Sequence, residues 1–591
     1  MDVKTWLNTI KEQWRVVVEM TVVSFLAGWF LIGLWTRSYQ TEVGLVSIAD
    51  MNIISFLFML LLAMFLVGVM YVKKRAATRL LAFFSMTLYL FLSLKEHANQ
   101  LGYALVVLAV VLLAFSYVKR DLIPLMERIP LNEKQGMVLA VCFGFGLVWF
   151  ICNITVARYH TYSNSTFDFG IFAQMFENMR RTGLPLTSVE RQTIGEISHF
   201  GVHISPILYL MLPFYLLFPS PVTVQVMQAV VLGLAVIPLY RLCRHYQLCE
   251  KMSAAMCLLY CLFPATAAGT FYDFHENCWL PVLIFSLILM VEKKKGLGTV
   301  VCAILLLMVK EDAALYLLVL GGYWCLSGRE RRRGALLALM AILYFGVALA
   351  ILHKFGQGDL ASSRYWHLMY DPDGGLGQII ITILADPAYV LAQIGSAEKL
   401  RYLLLMLAPI GAALFQRRTY SRYLLLGTLI VFNVLPNYVY MYDIGFQYSF
   451  GAVALLLYLA VMTAAEWQEK KRISWGVMAV ITAFVLSLCL NYPKLEYYRE
   501  REEKYGAQYA AMDEAVASIP RDASVLASGY LVPHLWDVRH LSSIQEDCEV
   551  DQDFVAVDIR GQGDLAIVQT QLDDYMPYYE VPGLVMVFVR E

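Results

Sequence analysis

Apolar runs of roughly 20 residues, separated by short polar stretches, recur along the chain as far as residue 491. A helix needs a run of about that length to cross the ~30 Å hydrocarbon layer of a bilayer. The pattern predicts fifteen spanning segments, near 16–36, 51–72, 78–95, 101–118, 136–157, 221–242, 252–271, 277–292, 297–309, 313–327, 335–353, 400–416, 421–440, 447–464 and 473–491. Two places need a decision. Residues 205–218 are apolar but carry Pro206 and Pro213, with Pro219 following, and read as an interfacial or re-entrant segment. Residues 300–326 form one apolar stretch broken by Lys310, Glu311 and Asp312, and read as two short spans with the charged triplet at their tip.

The charge on the short loops supports this division. With the N-terminus in the cytoplasm, the basic groups Lys73–Arg75 with Arg79, 119–134, Arg241/Arg244/Lys251, Lys293–Lys295, Arg329–Arg333, Arg417–Arg418 and Lys470–Arg472 all fall on the cytoplasmic side. Two long loops, 158–220 and 354–399, and the C-terminus then lie outside. The first apolar run, Val16 to Trp35, is followed by no small-residue cleavage site and is expected to remain as a span. From Pro493 the pattern changes. A helix over 498–518 and strand-like runs at 524–527, 554–558 and 585–589 predict a small α/β domain. The resulting division is a four-helix membrane module over 1–135, a transmembrane domain over 136–492 and a soluble extracytoplasmic domain over 493–591. The fold class is an α-helical polytopic membrane protein. No repeat of 20–50 residues and no low-complexity tract is present.

Composition agrees. Of the 591 residues 59% are hydrophobic and 16% charged, with a mean hydropathy of +0.59, against about 25% charged in soluble domains. The net charge of −1 and the lack of a basic domain give no footprint for nucleic acid. The 11 Cys lie mostly in apolar runs, without metal-ligand or disulfide spacing.

The unusual polar residues gather in the outer loops. In the first, Phe169, Phe172, Phe176 and Met179 fall on one helical stripe and Gln174, Asn178 and Arg181 on another, predicting an amphipathic helix at the membrane surface. Asp168, at its start, reads locally as a helix cap. His199 and His203 stand four residues apart; a divalent metal with a third ligand is one group such a pair could take, and a phosphate or a sugar is another. Tyr272, Asp273, His275 and Glu276 crowd a short loop between two spans, where ionisable groups are either functional or simply a solvated turn. Lys310 is a candidate point charge for phosphate, and Glu311 and Asp312 its alternative internal partners. Weaker candidates are Arg364, Trp366, His367, Asp371 and Asp373 in the second long loop, and Asp443, Gln447 and Tyr448 in a late turn.

From residue 136 onward these stretches resemble a family of predicted bacterial membrane proteins grouped as a domain of unknown function. The resemblance rests on Phe167–Gln174, His199–Leu208, Leu217–Pro221 with Gln228 and Pro238–Tyr240, Phe274–Glu276, Lys310–Asp312, Ile519–Val525 and Pro533–Leu535. That family in turn looks like the membrane glycosyltransferases of the GT-C architecture, which share an acidic residue beside a surface helix in the first outer loop. The resemblance implies a sugar donor linked to polyprenyl phosphate and an envelope glycan, lipid or protein as acceptor. It implies Asp168 as the catalytic base and Gln174, His199, His203, Asp273, His275, Glu276, Lys310 and Glu311 as substrate-binding residues. The first four spans lie outside the family pattern. The first loop has no Asp-x-Asp motif, which favours chemistry without a metal. Two other classes remain: a transporter or flippase, which needs broken helices and midplane polar groups, and a non-enzymatic envelope scaffold.

Overall fold

Long apolar runs without internal breaks become long helices, and the shorter or interrupted runs do not. The computed structural model describes residues 3–40, 52–189, 197–356, 360–371, 375, 377–415, 419–561 and 563–591. Asp373 and the Arg417–Arg418 pair lie outside the described residues. Among them, nine helices are long and apolar enough to cross a membrane, or ten if the bent pair Gly377–Ala385 and Pro387–Ile394 is one span. The chain is thus a multi-pass membrane protein.

The six other segments read as spans are short or irregular. Trp279–Glu292, Gly296–Leu307 and Ala313–Ser327 are helices of 14, 12 and 15 residues. At 1.5 Å per residue they reach only about 18–23 Å. Glu250–Leu262 stops where Pro264 begins a second short helix. Ala397–Leu407 gives way to a 3-10 turn, and 420–442 is a chain of 3-10 and π turns. Hydropathy counts apolar side chains and is blind to such breaks. Irregular backbone at this depth is tolerated where protein, not lipid, surrounds it. The bent pair turns by 102° at Asp386 and lies in the stretch read as an outer loop.

The chain clusters into two compact units, Met1–Asn132 with Trp467–Pro493, and Glu133–Glu466 with Lys494–Glu591. In the first, helices Val3–Trp35, Ile53–Lys73, Arg75–Glu96, Leu101–Arg128 and Glu469–Leu490 bury narrow seams, such as Val23, Ala27, Val67 and Tyr71, or Val107, Val111, Phe115, Val485 and Cys489. Their outward faces remain apolar: Leu57, Phe58, Leu61 and Phe65 are exposed. A soluble bundle would reverse that pattern; a bilayer accepts it.

In the second unit Phe450–Ala465 is buried almost all round, as a helix without a polar face must be. Glu133–His160 and Pro221–Leu234 pack closely because glycines face each other; a Cβ on Gly144 would lie 2.7 Å from the Gly233 carbonyl oxygen. Residues 206–217 form a 3-10 turn and a six-residue helix, too short to span, in line with the interfacial or re-entrant reading.

The first long loop holds the helix Ile171–Thr182 and a two-stranded ribbon, β1 (Leu186–Thr187) and β2 (Ile197–Ser198). The tail carries the helix Tyr492–Ala517 and five strands: β3 (Ser524–Ala527), β4 (His540–Ser543), β5 (Phe554–Asp558), β6 (Tyr575–Val581) and β7 (Val585–Arg590). Their order is β4-β3-β5-β7-β6, with β3 parallel to β4 and β5, and β7 antiparallel to β5 and β6. Alternation along the strands gives the sheet two apolar faces. Leu526, Val555 and Val557 pack with Val568 and Phe588 on one. Val525, Ala527 and Ala556 face Met512 and Val516 of the long helix on the other, together with Tyr162, Ile171 and Val189 of the first loop. The soluble domain therefore shares a core with the loop.

That shared core corrects the surface-helix expectation. Ile171–Thr182 is amphipathic, but its polar stripe is buried as far as Asn178 and meets water only at its last turn, where Arg181 is exposed. Gln174, Glu177 and Asn178 are all buried, and Arg181 donates to the Asp537 carbonyl of the soluble domain.

Candidate active site

The first loop leaves the helix Glu133–His160 and turns at Thr166–Gly170 into one π turn before the helix Ile171–Thr182. Within that turn Asp168 has φ +70°, a left-handed conformation costing about 1–2 kcal/mol for a residue with a Cβ. Asp is among the few residues that visit it. The following helix is capped at Gly170 without a side-chain bond, so Asp168 is not the cap. Its side chain, 37% exposed, opens onto a cavity of about 640 Å³. Backbone strain at a carboxylate that lines a cavity is where function tends to be stored.

His275 faces it, with Nε2 3.4 Å from the Asp168 carboxylate. The His275 backbone N–H donates to Gln228 Oε1 at 2.8 Å, which fixes the ring's approach. Burial works against ionising Asp168, but the His275 ring, with Lys310 beyond it, outweighs burial and holds its pKa below the ordinary aspartate value. Burial likewise works against a charged His275, and Asp168 reverses that, so the histidine pKa is raised. Each member of the pair thus favours the charged form of the other.

A second pair lies deeper. Lys310 Nζ is 3.1 Å from Glu276 Oε1, and both side chains are buried. Burial alone would raise Glu276; Lys310 dominates and brings it down to about 2. A third pair joins His203 Nδ1 to Glu311 at 2.9 Å, and the Ile204 N–H donates to the other Glu311 oxygen at 3.0 Å. Burial, with Lys310 nearby, pushes His203 well below the ordinary histidine range. A neutral ring donating through Nδ1 leaves Nε2 as an acceptor.

His199 also lines the cavity, with its ring edge-on to Phe172 at 5.2 Å and 6.1 Å from the His203 ring. The two histidines do not stand on a regular helix: His199–Gly201 is a 3-10 turn. Among the described residues no group of three or more His, Cys, Asp or Glu side chains is placed to hold a metal ion.

The structure thus brings Asp168, His199, His203, His275, Glu276 and Lys310 to one cavity. Glu311 stands behind His203 and lines the neighbouring cavity. Two of the sequence candidates lie elsewhere. Gln174 accepts from Thr187 Oγ1, the Ser188 N–H and the Val189 N–H and donates to Ser188 Oγ, so its amide ties the helix to the ribbon. Asp273 accepts from Asn164 and sits 3.6 Å from Arg158, fully buried, and burial raises it to about 7. Both support the loop from behind the cavity wall.

The far wall was scarcely visible in the sequence. Tyr438, Tyr440, Phe446, Gln447 and Tyr448 come from the irregular stretch after residue 429, and Gln545 from the soluble domain. Tyr440 and Phe446 rings lie 4.5 Å apart, and the Tyr272 ring lies tilted against Phe446 at 4.7 Å. Arg364 lies over the Tyr438 and Tyr448 rings at 5.1 and 5.5 Å and forms no ion pair among the described residues. Three tyrosines in five residues, 438 to 442, were the available signal. Trp366 is exposed, and His367 bonds the Leu435 carbonyl at 3.1 Å outside the cavity.

The polar cavity adjoins a larger apolar one of about 810 Å³, and Val202, His203 and Arg364 line both. Leu315, Ile342, Phe345, Leu349 and Phe432 wall the apolar cavity, with Ile379, Ile380 and Ile383 of the bent pair.

The sequence profile of DUF2079, described as a predicted membrane protein, matches residues 158–575. The chain belongs to this family. The match covers both loops of the cavity and most of the soluble domain. No curated protein matches the chain. Among solved structures it is similar to ArnT from Cupriavidus metallidurans bound to undecaprenyl phosphate, at 12% identity and a TM-score of 0.48, covering 76% of this chain and 97% of that one. The apo state of the same protein gives 10% identity and a TM-score of 0.43, over 74% and 97% of the chains. The arabinofuranosyltransferase AftD from Mycobacteria gives 11% and 0.41, over 75% of this chain and 40% of that one.

Proposed function

We propose that this DUF2079 chain is a membrane glycosyltransferase that moves a sugar from a polyprenyl-phosphate donor to an acceptor hydroxyl on the extracytoplasmic face, with Asp168 as general base. The reading rests above all on a strained, ionised carboxylate opening onto a polar cavity that adjoins an apolar one. A lipid-linked sugar has the same division: a polar, charged head and a long apolar tail.

The residues suit the roles. The apolar cavity takes the tail, and Arg364, where the cavities meet, takes the phosphate. Lys310 was the sequence candidate for that task, but it is buried against Glu276 and serves better as a fixed charge behind the site. The acceptor oxygen attacks the anomeric carbon as Asp168 removes its proton. The bond from that carbon to the phosphate oxygen breaks, and the charge left on the lipid phosphate is met by Arg364. His275 holds the Asp168 carboxylate in place and ionised. No step uses a metal ion.

The test is incubation of the purified full-length protein in sealed proteoliposomes with a panel of polyprenyl-phosphate sugars and a cell-envelope extract as the source of acceptor hydroxyls, reading release of the lipid phosphate. Wild type should release it and Asp168→Asn should not. Transfer retained in Asp168→Asn removes Asp168 from the chemistry, and intact donor carried across the membrane would favour a flippase. Accessibility labelling of residues 168 and 591 tests the sidedness; opposite sides would end the proposal.

A further inference from the structure

The first unit contains a cavity of about 730 Å³ among helices Val3–Trp35, Arg75–Glu96 and Leu101–Arg128, which the proposed activity does not use. Its lining is graded. On the first helix Lys11, Arg15 and Glu19 follow at four-residue intervals on one face, and Val18, Val22 and Leu26 continue it. On the second, Arg79 is followed by Ala82, Phe83 and Met86. On the third, which approaches from the other direction, Ala114 comes first and Arg120 last. All three helices thus put cations at one end and apolar side chains at the other. The apolar run from Arg15 to Leu26 covers about 16 Å at 1.5 Å per residue.

The cations are not all spoken for. Arg79 is held by Asp121 at 2.7 and 2.8 Å and by Glu19 at 3.0 Å. Arg120 shares Glu19 at 3.2 Å and is half exposed. Lys11 and Arg15 are exposed and form no ion pair among the described residues. Four cations against the two carboxylates of Glu19 and Asp121 leave the rim with a net positive charge. Trp14 and Tyr117, also in the lining, are the aromatic types that sit at a membrane–water boundary.

We infer that this cavity binds an anionic phospholipid, with the headgroup phosphate at Lys11, Arg15 and Arg120 and an acyl chain along Val18, Val22, Leu26 and Phe83. The Arg79–Asp121–Glu19 network holds the three helices in register and leaves the outer cations to the ligand. Charge decides the occupant: a zwitterionic lipid fills the apolar end equally well but gains little at the rim.

Native mass spectrometry of the delipidated full-length protein tests this with phosphatidylglycerol and phosphatidylcholine of matched acyl chains. Phosphatidylglycerol should bind about tenfold or more tightly, and Lys11→Gln/Arg15→Gln should bring its affinity close to that of phosphatidylcholine, while Lys11→Arg/Arg15→Lys retains it. Neither position belongs to the network holding the helices. Equal binding of the two lipids, or undiminished phosphatidylglycerol binding by the glutamine variant, overturns the assignment. Should that variant fold poorly, a phosphatidylglycerol with a photoreactive acyl chain gives an independent reading on wild type. Crosslinks at Val18, Val22 or Phe83 support the site, and crosslinks confined to the second unit refute it.

Discussion

Asp168 combines a structurally unfavourable backbone with a carboxylate that opens onto a cavity. Its left-handed backbone lowers stability, and its carboxylate caps nothing. Asp168→Asn keeps the shape and the tolerance for positive φ, so expression and melting temperature should hold while transfer falls about 100- to 10,000-fold, read by product formation. The facing pair also sets a pH dependence. Asp168 is depressed, so its contribution is present above the ordinary value of 3.8 and is lost as pH falls through its lower folded pKa. His275 is raised, so its contribution is present below 6.5 and is lost as pH rises through its higher folded pKa. A rate profile should therefore show a plateau wider on both sides than free Asp and His would give. Lys310 and Glu276 obey a different rule. Breaking a buried ion pair leaves one charge alone, so Glu276→Gln should destabilise the protein by about 3–5 kcal/mol in detergent melting, and Lys310→Met/Glu276→Leu should recover much of it.

At the scale of elements, the site is built from pieces too short or too broken to be ordinary spans. The tip between Gly296–Leu307 and Ala313–Ser327 carries Lys310, and the short helix that Pro264 begins leads to the His275 loop. Shortness lets charged tips reach a cavity that full spans would leave beyond the bundle. Ile171–Thr182 is held by side chains that are buried from Ile171 to Met179. Gln174→Ala strands the Ser188 N–H, while the Val189 N–H keeps Thr187 Oγ1, costing about 1–3 kcal/mol. It should raise hydrogen exchange across 171–189 and lower transfer less than Asp168→Asn does. Close helix packing gives a separate check. Gly144→Leu meets the Gly233 carbonyl and should lower stability by about 1–3 kcal/mol without touching the cavity.

At the scale of the molecule, the soluble domain completes the second unit. Arg560 pairs with Asp558 and donates to the Tyr162 carbonyl at 3.0 Å, and Tyr162 donates to Asp513 at 2.7 Å. His534 is stacked between Tyr159 and Tyr162, with ring centroids 4.3 and 3.7 Å apart. Burial drives its pKa down to about 3 from 6.5. The unfolded histidine takes a proton below 6.5 and the folded one does not, so stability falls as pH drops from 6.5 towards 3. Limited proteolysis between Ala517 and Ser524 should quicken over that range, and His534→Phe should remove the acid sensitivity. Arg560→Ala should quicken the same cleavage at neutral pH.

Much was legible because a bilayer imposes simple rules. Nine helices long and apolar enough to cross a membrane, the lack of such a helix over 206–217, the composition change at Pro493 and the chemical types at Asp168, His199, His203, His275, Glu276 and Lys310 follow from local apolar length and the cost of charge near lipid. Other features depend on which side chains meet across the fold, and one-dimensional pattern carries no record of that. Gln174 and Asp273 have the composition of ligands, yet folding turns them to the back of the loop. Arg364, Gln447 and Tyr448 were only weaker candidates, and Tyr438, Tyr440 and Phe446 carried no signal beyond their aromatic type, yet folding brings them to the cavity. Local hydrophobicity determines what enters the membrane; the packing of distant segments decided which polar groups face one another once there.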